Sequence, residues 1–200
     1  EFDGNNIKEA VYAAADEGLS VVGTSLFIPH LINVVSAHSK KTTLFNGYGN
    51  PLSERSMHDL YERLTADCWI NLATYFKKDD QGHFCIETSY CAATENKFEG
   101  LFGNSVQSIV SPLEKCIMNA NGCLIDLNPR SFNKQGLAIK KSTYQGYQRG
   151  KHIHFYSPID DAVARFYADS VRADLDCYGV PQYSVASLGV LVCTEGAPKN

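Results

Sequence analysis

SERSMHDLYERLTADCWINLATYFK, residues 53–77, is the stretch on which the fold class turns. Met57, Leu60, Tyr61, Leu64, Cys68, Leu72, Tyr75 and Phe76 recur in it at three- and four-residue steps, the spacing that lines one face of an α-helix. Glu54, Arg55, Asp59, Glu62 and Arg63 fall largely on the opposite face, and Ser56 with Asp59 offers a start resembling a capping box. The spacing predicts one long helix over 53–77, closed by the turn Asp79-Asp-Gln-Gly82.

Upstream, Asn5 or Asn6 can cap a helix from Ile7 to Glu17 that Gly18 stops. Leu19 to Val22 reads as a short strand. Pro29 suits the first turn of a second helix ending near His38, where Lys40 and Lys41 complement the helix dipole. Downstream, the pattern shortens. His83–Thr88 and Cys123–Leu127 read as strands, 104–118 as a helix interrupted at Pro112, and 159–175 as a helix striped by Val163, Phe166, Val171 and Leu175. Leu137–Tyr144 and Lys151–Tyr156 read as a hairpin around Gly146 and Gly150, and Tyr183–Cys193 as a last strand. Helices come early and strands late, without βαβαβ alternation. The expected class is therefore α+β, one domain over 1–200, with an antiparallel sheet mainly in the C-terminal half.

Composition sets further bounds. Apolar residues at 44% and charged residues at 20% are ordinary globular usage, and disorder would need more charge and fewer aromatics. A net charge of −4 argues against a dedicated nucleic-acid binder. The most apolar run, Leu19–Val35, is broken by Gly23, Pro29, His30 and Asn33, so it reads as core, not as a membrane span. The chain opens at Glu1 without an initiator Met, as a processed protein or one shortened at its start would.

Seven cysteines, at 68, 85, 91, 116, 123, 177 and 193, include no C-x-x-C pair, which speaks against zinc-knuckle and thioredoxin-type sites. The expectation is three disulfides and one leftover thiol in a secreted, extracellular or periplasmic protein, with the connectivity open.

Candidate chemistry is sparse. Asp67-Cys68-Trp69 resembles the cysteine of papain-like hydrolases, with His152 or His154 as base, but the flanking glycine and serine are missing. His152 and His154 would share one side of a strand, as a two-histidine metal site requires, with Asp160, Asp161, His83 or His58 as a third ligand. Asp160-Asp161 suits a helix start. Neither a P-loop nor a Gly-x-Ser-x-Gly elbow occurs. The unusual feature is charge: between Leu127 and Ile159 there are six basic residues and no acid, leaving the rest of the chain at −10. Tyrosines and glutamines interleave with these cations, as in surfaces that meet anionic or carbohydrate ligands.

The functional expectation is a non-catalytic, secreted or surface-associated interaction domain. It would bind a protein or glycan partner, anionic ones included, through Arg130, Lys140, Lys141, Tyr144, Tyr147, Arg149 and Lys151. No cofactor, metal, nucleic acid or membrane span enters this reading. Its alternatives are a Cys/His- or metal-dependent hydrolase and a membrane-active toxin using Leu19–Val35.

Overall fold

The computed structural model describes residues 6–46, 48–89, 108–183 and 189–194. Helix α1 spans Ile7–Asp16 and starts as local chemistry dictates. Asn6 Oδ1 accepts the Glu9 amide at 3.1 Å, and the Glu9 carboxylate accepts the Asn6 amide at 3.1 Å. Strand β1 is Leu19–Val21. Helix α2 runs over Thr24–Lys40, so Pro29 sits inside it and not in its first turn. An interior proline costs about 3 kcal/mol or more. Phe27, Ile28, Leu31 and Val34 are buried along the same helix, each returning roughly 1.5–3 kcal/mol, so burial wins.

The predicted helix over 53–77 divides in two. Helix α3 covers Glu54–Ala66, with Ser53 Oγ accepting the Ser56 amide at 3.0 Å, and strand β2 covers Cys68–Lys78. The half after Asp67 is buried without a break from Asn71 to Phe76, because both faces of β2 are covered there. Leu72 and Phe76 enter one core and Ala73 and Tyr75 the other. A strand buried on both sides loses its period of two and cannot be told from a buried helix by spacing.

The remaining strands are β3 Phe84–Ser89, β4 Ser108–Pro112, β5 Asn121–Asp126, β6 His152–Tyr156, β7 Ala162–Ala168, β8 Ala173–Gly179, β9 Gly189–Val190 and β10 Val192–Thr194. The main sheet has the order β4-β3-β2-β7-β8-β6-β5, with β9 joined to β2, and β1 pairs with β10 separately. Its pairs are antiparallel except β6 with β8 and β2 with β9.

Several expectations are corrected. Residues 159–175 form no helix; they supply β7, a turn and the start of β8. Asp169 Oδ1 accepts the amides of Val171 and Arg172 at 2.8 Å and turns the chain. Residues 108–112 are strand, and 104–107 lie outside the described residues. The hairpin of 137–144 with 151–156 does not form, since β6 takes β5 and β8 as partners. Instead Asn133 Oδ1 accepts the amides of Gln135 and Leu137, and this side-chain turn sends Leu137 and Ala138 into the core.

The disulfide-stabilised domain is also corrected. Cys68, Cys85, Cys116, Cys123, Cys177 and Cys193 carry no disulfide among the described residues, and Cys91 lies outside them. Cys68 and Cys177 are buried among apolar side chains and act as small hydrophobes. The α+β class stands, resting on packing.

That packing is layered. Helices α2 and α3 cover one face of the sheet through Phe27, Leu31, Leu64, Phe76 and Phe166. On the opposite face, α1 and β1 cover only part of the central strands β2 and β7, where Ile7, Val11 and Val21 meet Ala73, Tyr75 and Val163. No helix among the described residues is long and apolar enough to cross a membrane.

Candidate functional site

The face of β7, β8 and β6 that turns away from α2 and α3 carries a polar and aromatic side-chain set. Strict alternation puts Arg165 and Tyr167 on it from β7, Asp174, Asp176 and Tyr178 from β8, and His154 and Tyr156 from β6. Register then aligns these in rows: Trp69 beside Tyr167, Asp174 and His154, and Asn71 beside Arg165, Asp176 and Tyr156. Between them lies a cleft of about 470 Å³, walled by five aromatic rings (Trp69, Tyr156, Tyr167, Tyr178 and Tyr183) and by Arg165, Arg172, Asp174 and Asp176.

The cleft is braced from within. Trp69 meets Tyr167 edge-on at 5.9 Å between centroids, and Tyr156 meets Tyr178 likewise at 5.4 Å. The Arg165 guanidinium lies 4.8 Å over the ring of Tyr183 and donates to Asn71 Oδ1 at 3.1 Å and to the Val180 carbonyl at 2.6 Å. Arg172 lies 5.0 Å over the ring of Tyr167, with Nε 3.4 Å from Asp174. Burial raises the carboxyls of Asp174 and Asp176, against the pull of Arg172 and His154 on the first and of the Tyr178 amide and Arg165 on the second. Burial also raises the hydroxyls of Tyr156 and Tyr178, leaving them further from ionisation than an ordinary tyrosine. Trp69, Tyr178 and Tyr183 still expose 39–44% of their surface.

The residues singled out from sequence are dispersed. Arg130, Lys140, Lys141, Tyr144 and Lys151 are exposed, and Arg130 and Lys140 line a second depression with Asp126. Arg149 is committed to α3: it pairs with Glu62 at 2.7 Å, donates to Thr65 Oγ1 at 3.0 Å and lies 5.3 Å over the ring of Tyr61. Tyr147 stacks on His154 at 5.8 Å, and burial pushes its hydroxyl up to about 12.

His152 and His154 do share a side of β6, but each meets its own carboxylate. His152 Nε2 is 3.6 Å from Asp126, and His154 Nδ1 is 3.2 Å from Asp174. No group of three or more His, Cys, Asp or Glu side chains suited to a metal ion occurs among the described residues. Asp160 and Asp161 start no helix. Asp160 Oδ1 accepts the Lys78 amide at 2.8 Å, and Asp161 accepts the Tyr75 hydroxyl at 2.7 Å.

Cys68 stands at the carbonyl end of α3, where the helix dipole opposes a thiolate, and burial pushes its thiol up to about 12. The charges acting on it belong to Arg63 and Asp67, not to a histidine. Only about one thiol in ten thousand would ionise at pH 8 with such a value. Cys68 should therefore resist iodoacetamide in the folded protein and react once urea unfolds it, as peptide mass mapping would report. Prompt labelling of the native protein at Cys68 would contradict its buried, protonated state.

The sequence reading missed Trp69, Arg165, Tyr167, Arg172, Asp174, Asp176, Tyr178 and Tyr183. The signal was present in Asp174-Leu-Asp-Cys-Tyr178, which alternates polar and apolar residues as a half-buried strand does. Compared with known proteins, the chain matches no family model, no curated protein and no solved structure.

Proposed function

We propose that the chain is a non-catalytic binding domain that seats a glycan on the aromatic cleft of its outward sheet face. The carrying observation is the cleft itself: five rings and four ionisable side chains gathered on the part of the second face that α1 leaves uncovered. A sugar ring offers apolar C–H faces and a rim of hydroxyls. Tyrosine and tryptophan supply apolar surface with a polar edge, and Arg and Asp supply planar donor and acceptor pairs. Two arginines balance two aspartates in the cleft, which suits an uncharged saccharide better than a polyanion. The exposed Lys140, Lys141 and Lys151 lie outside the cleft lining and would add salt-sensitive attraction for an acidic partner.

The test is titration against neutral and sulfated oligosaccharides at two ionic strengths. Tyr178→Ala and Tyr183→Ala should each weaken binding of the neutral sugar by roughly tenfold, about 1.4 kcal/mol, with little change in salt dependence. Lys140→Glu with Lys141→Glu should leave neutral binding intact. The reverse pattern, loss on lysine reversal with both tyrosine variants undiminished, would move the ligand surface to the loop and overturn the cleft.

A further inference from the structure

Away from the sheet, α2 and α3 bring two imidazoles face to face. His38 belongs to the last turn of α2 and His58 to the second turn of α3. Nε2 of His38 and Nδ1 of His58 stand 3.5 Å apart, the rings 5.7 Å between centroids and 27° between planes. Two nitrogens bound at about 2.0–2.1 Å to one tetrahedral cation are separated by about 3.3–3.4 Å, so the observed spacing is close to that of a chelating pair. As a hydrogen bond between neutral rings, the same 3.5 Å lies at the long limit.

The orientation of His38 is built. Its ring lies flat on Tyr61, 3.8 Å between centroids and 5° between planes. Tyr61 is held in turn by the Arg149 guanidinium, and a Cβ on Gly150 would come within 2.7 Å of its hydroxyl. The Glu62 carboxylate lies within electrostatic reach of both imidazoles. The carbonyl end of α2 adds negative potential beside His38. The pair opens on a cleft of about 320 Å³ lined also by Thr42, Glu54 and Met57, with Lys41 the opposing charge.

We propose that His38 and His58 form a two-imidazole site for a divalent first-row transition cation of the zinc, nickel or copper kind. Both facing nitrogens then serve as acceptors, with the protons on His38 Nδ1 and His58 Nε2. No third His, Cys, Asp or Glu joins them among the described residues, so the other coordination positions are open to water or an incoming ligand. Such an ion would tie the end of α2 to α3 across the intervening loop.

The experiment uses the full chain without a polyhistidine tag and titrates Zn²⁺, Ni²⁺ and Cu²⁺ by calorimetry. One ion per chain is expected, with Cu²⁺ tightest. His38→Ala and His58→Ala should each lower affinity at least about tenfold, no less than the loss of an outer-shell partner does. Lys134→Ala, an exposed residue outside both helices, should bind as the parent does. His58 is exposed and His38 half-buried, and circular dichroism would verify that the variants fold; His58→Gln serves if His58→Ala does not. In the Cu²⁺ protein, electron paramagnetic resonance should show two coupled nitrogens, falling to one in either variant. Parent-like affinity in both histidine variants, or no stoichiometric binding by the parent, would overturn the site and leave a pair of surface imidazoles.

Discussion

Truncating Phe166 to alanine is expected to cost about 3–5 kcal/mol of stability, as deletions of buried phenylalanine do. Phe166 is fully buried at the centre of β7, and its ring meets that of Phe27 on α2 at 4.7 Å and 54°. Alanine would leave a cavity between sheet and helix layer that neither can fill without losing its own register. Whole domains of this kind are stable by about 5–15 kcal/mol, so the loss is a large share of the total. Urea unfolding monitored by circular dichroism measures it. Tyr167→Ala, one residue on and facing the other way, should cost less, because that ring is part-exposed already. Equal losses from the two would mean the faces of β7 are assigned the wrong way round.

Gly136→Ala should be nearly as damaging, for a different reason. Gly136 has φ +78°, and a Cβ there would lie 2.2 Å from the carbonyl oxygen of Thr24 and 2.5 Å from its carbon. Left-handed backbone alone costs a non-glycine residue about 1–2 kcal/mol. The overlap adds to this, since the obstructing atoms are backbone and cannot rotate away. The turn concerned fastens the loop after β5 to the start of α2, where Thr24 Oγ1 donates to the Gln135 carbonyl at 2.6 Å. A loss above about 2 kcal/mol is expected from thermal melts. Gly146→Ala, with nothing within 4 Å of its Cβ, should fall within about 0.5 kcal/mol of the parent. A Gly136→Ala protein melting like the parent would show that this turn is not held against α2.

What could be read in advance depended on how local the deciding interaction is. Asn6 and Gly18 announce α1 because cap and stop are made within a few residues. The β2–β7 pairing is not announced, because Leu72 and Phe76 answer to helices on one side and Ala73 and Tyr75 to a different layer on the other. Likewise Val163, Phe166, Val171 and Leu175 fall at helical spacing, yet Asp169 turns the chain between them and the register of β7 with β8 sorts them onto two strands. The shared side of His152 and His154 was legible as simple strand alternation. The cleft was not, since its rings and ions come from β2, β6, β7, β8 and the segment after β8, neighbours only once the sheet exists.

The pairing of β2 with β7 bears on how the protein is made. Arg165 reaches Asn71 across 94 positions of sequence, and β2 has its central place in the sheet only after β7 is present. A ribosome adding roughly 5–20 residues per second needs about 5–20 s to traverse that interval. Throughout it, the apolar sides of α2 and β2, Phe27, Leu31, Leu72 and Phe76 among them, lack their partner Phe166. Topologies rich in such distant pairings also fold slowly once complete. The nascent chain therefore presents a sticky surface for seconds, and cellular holding factors, more than the finished protein's own stability, would govern how much of it reaches the native state.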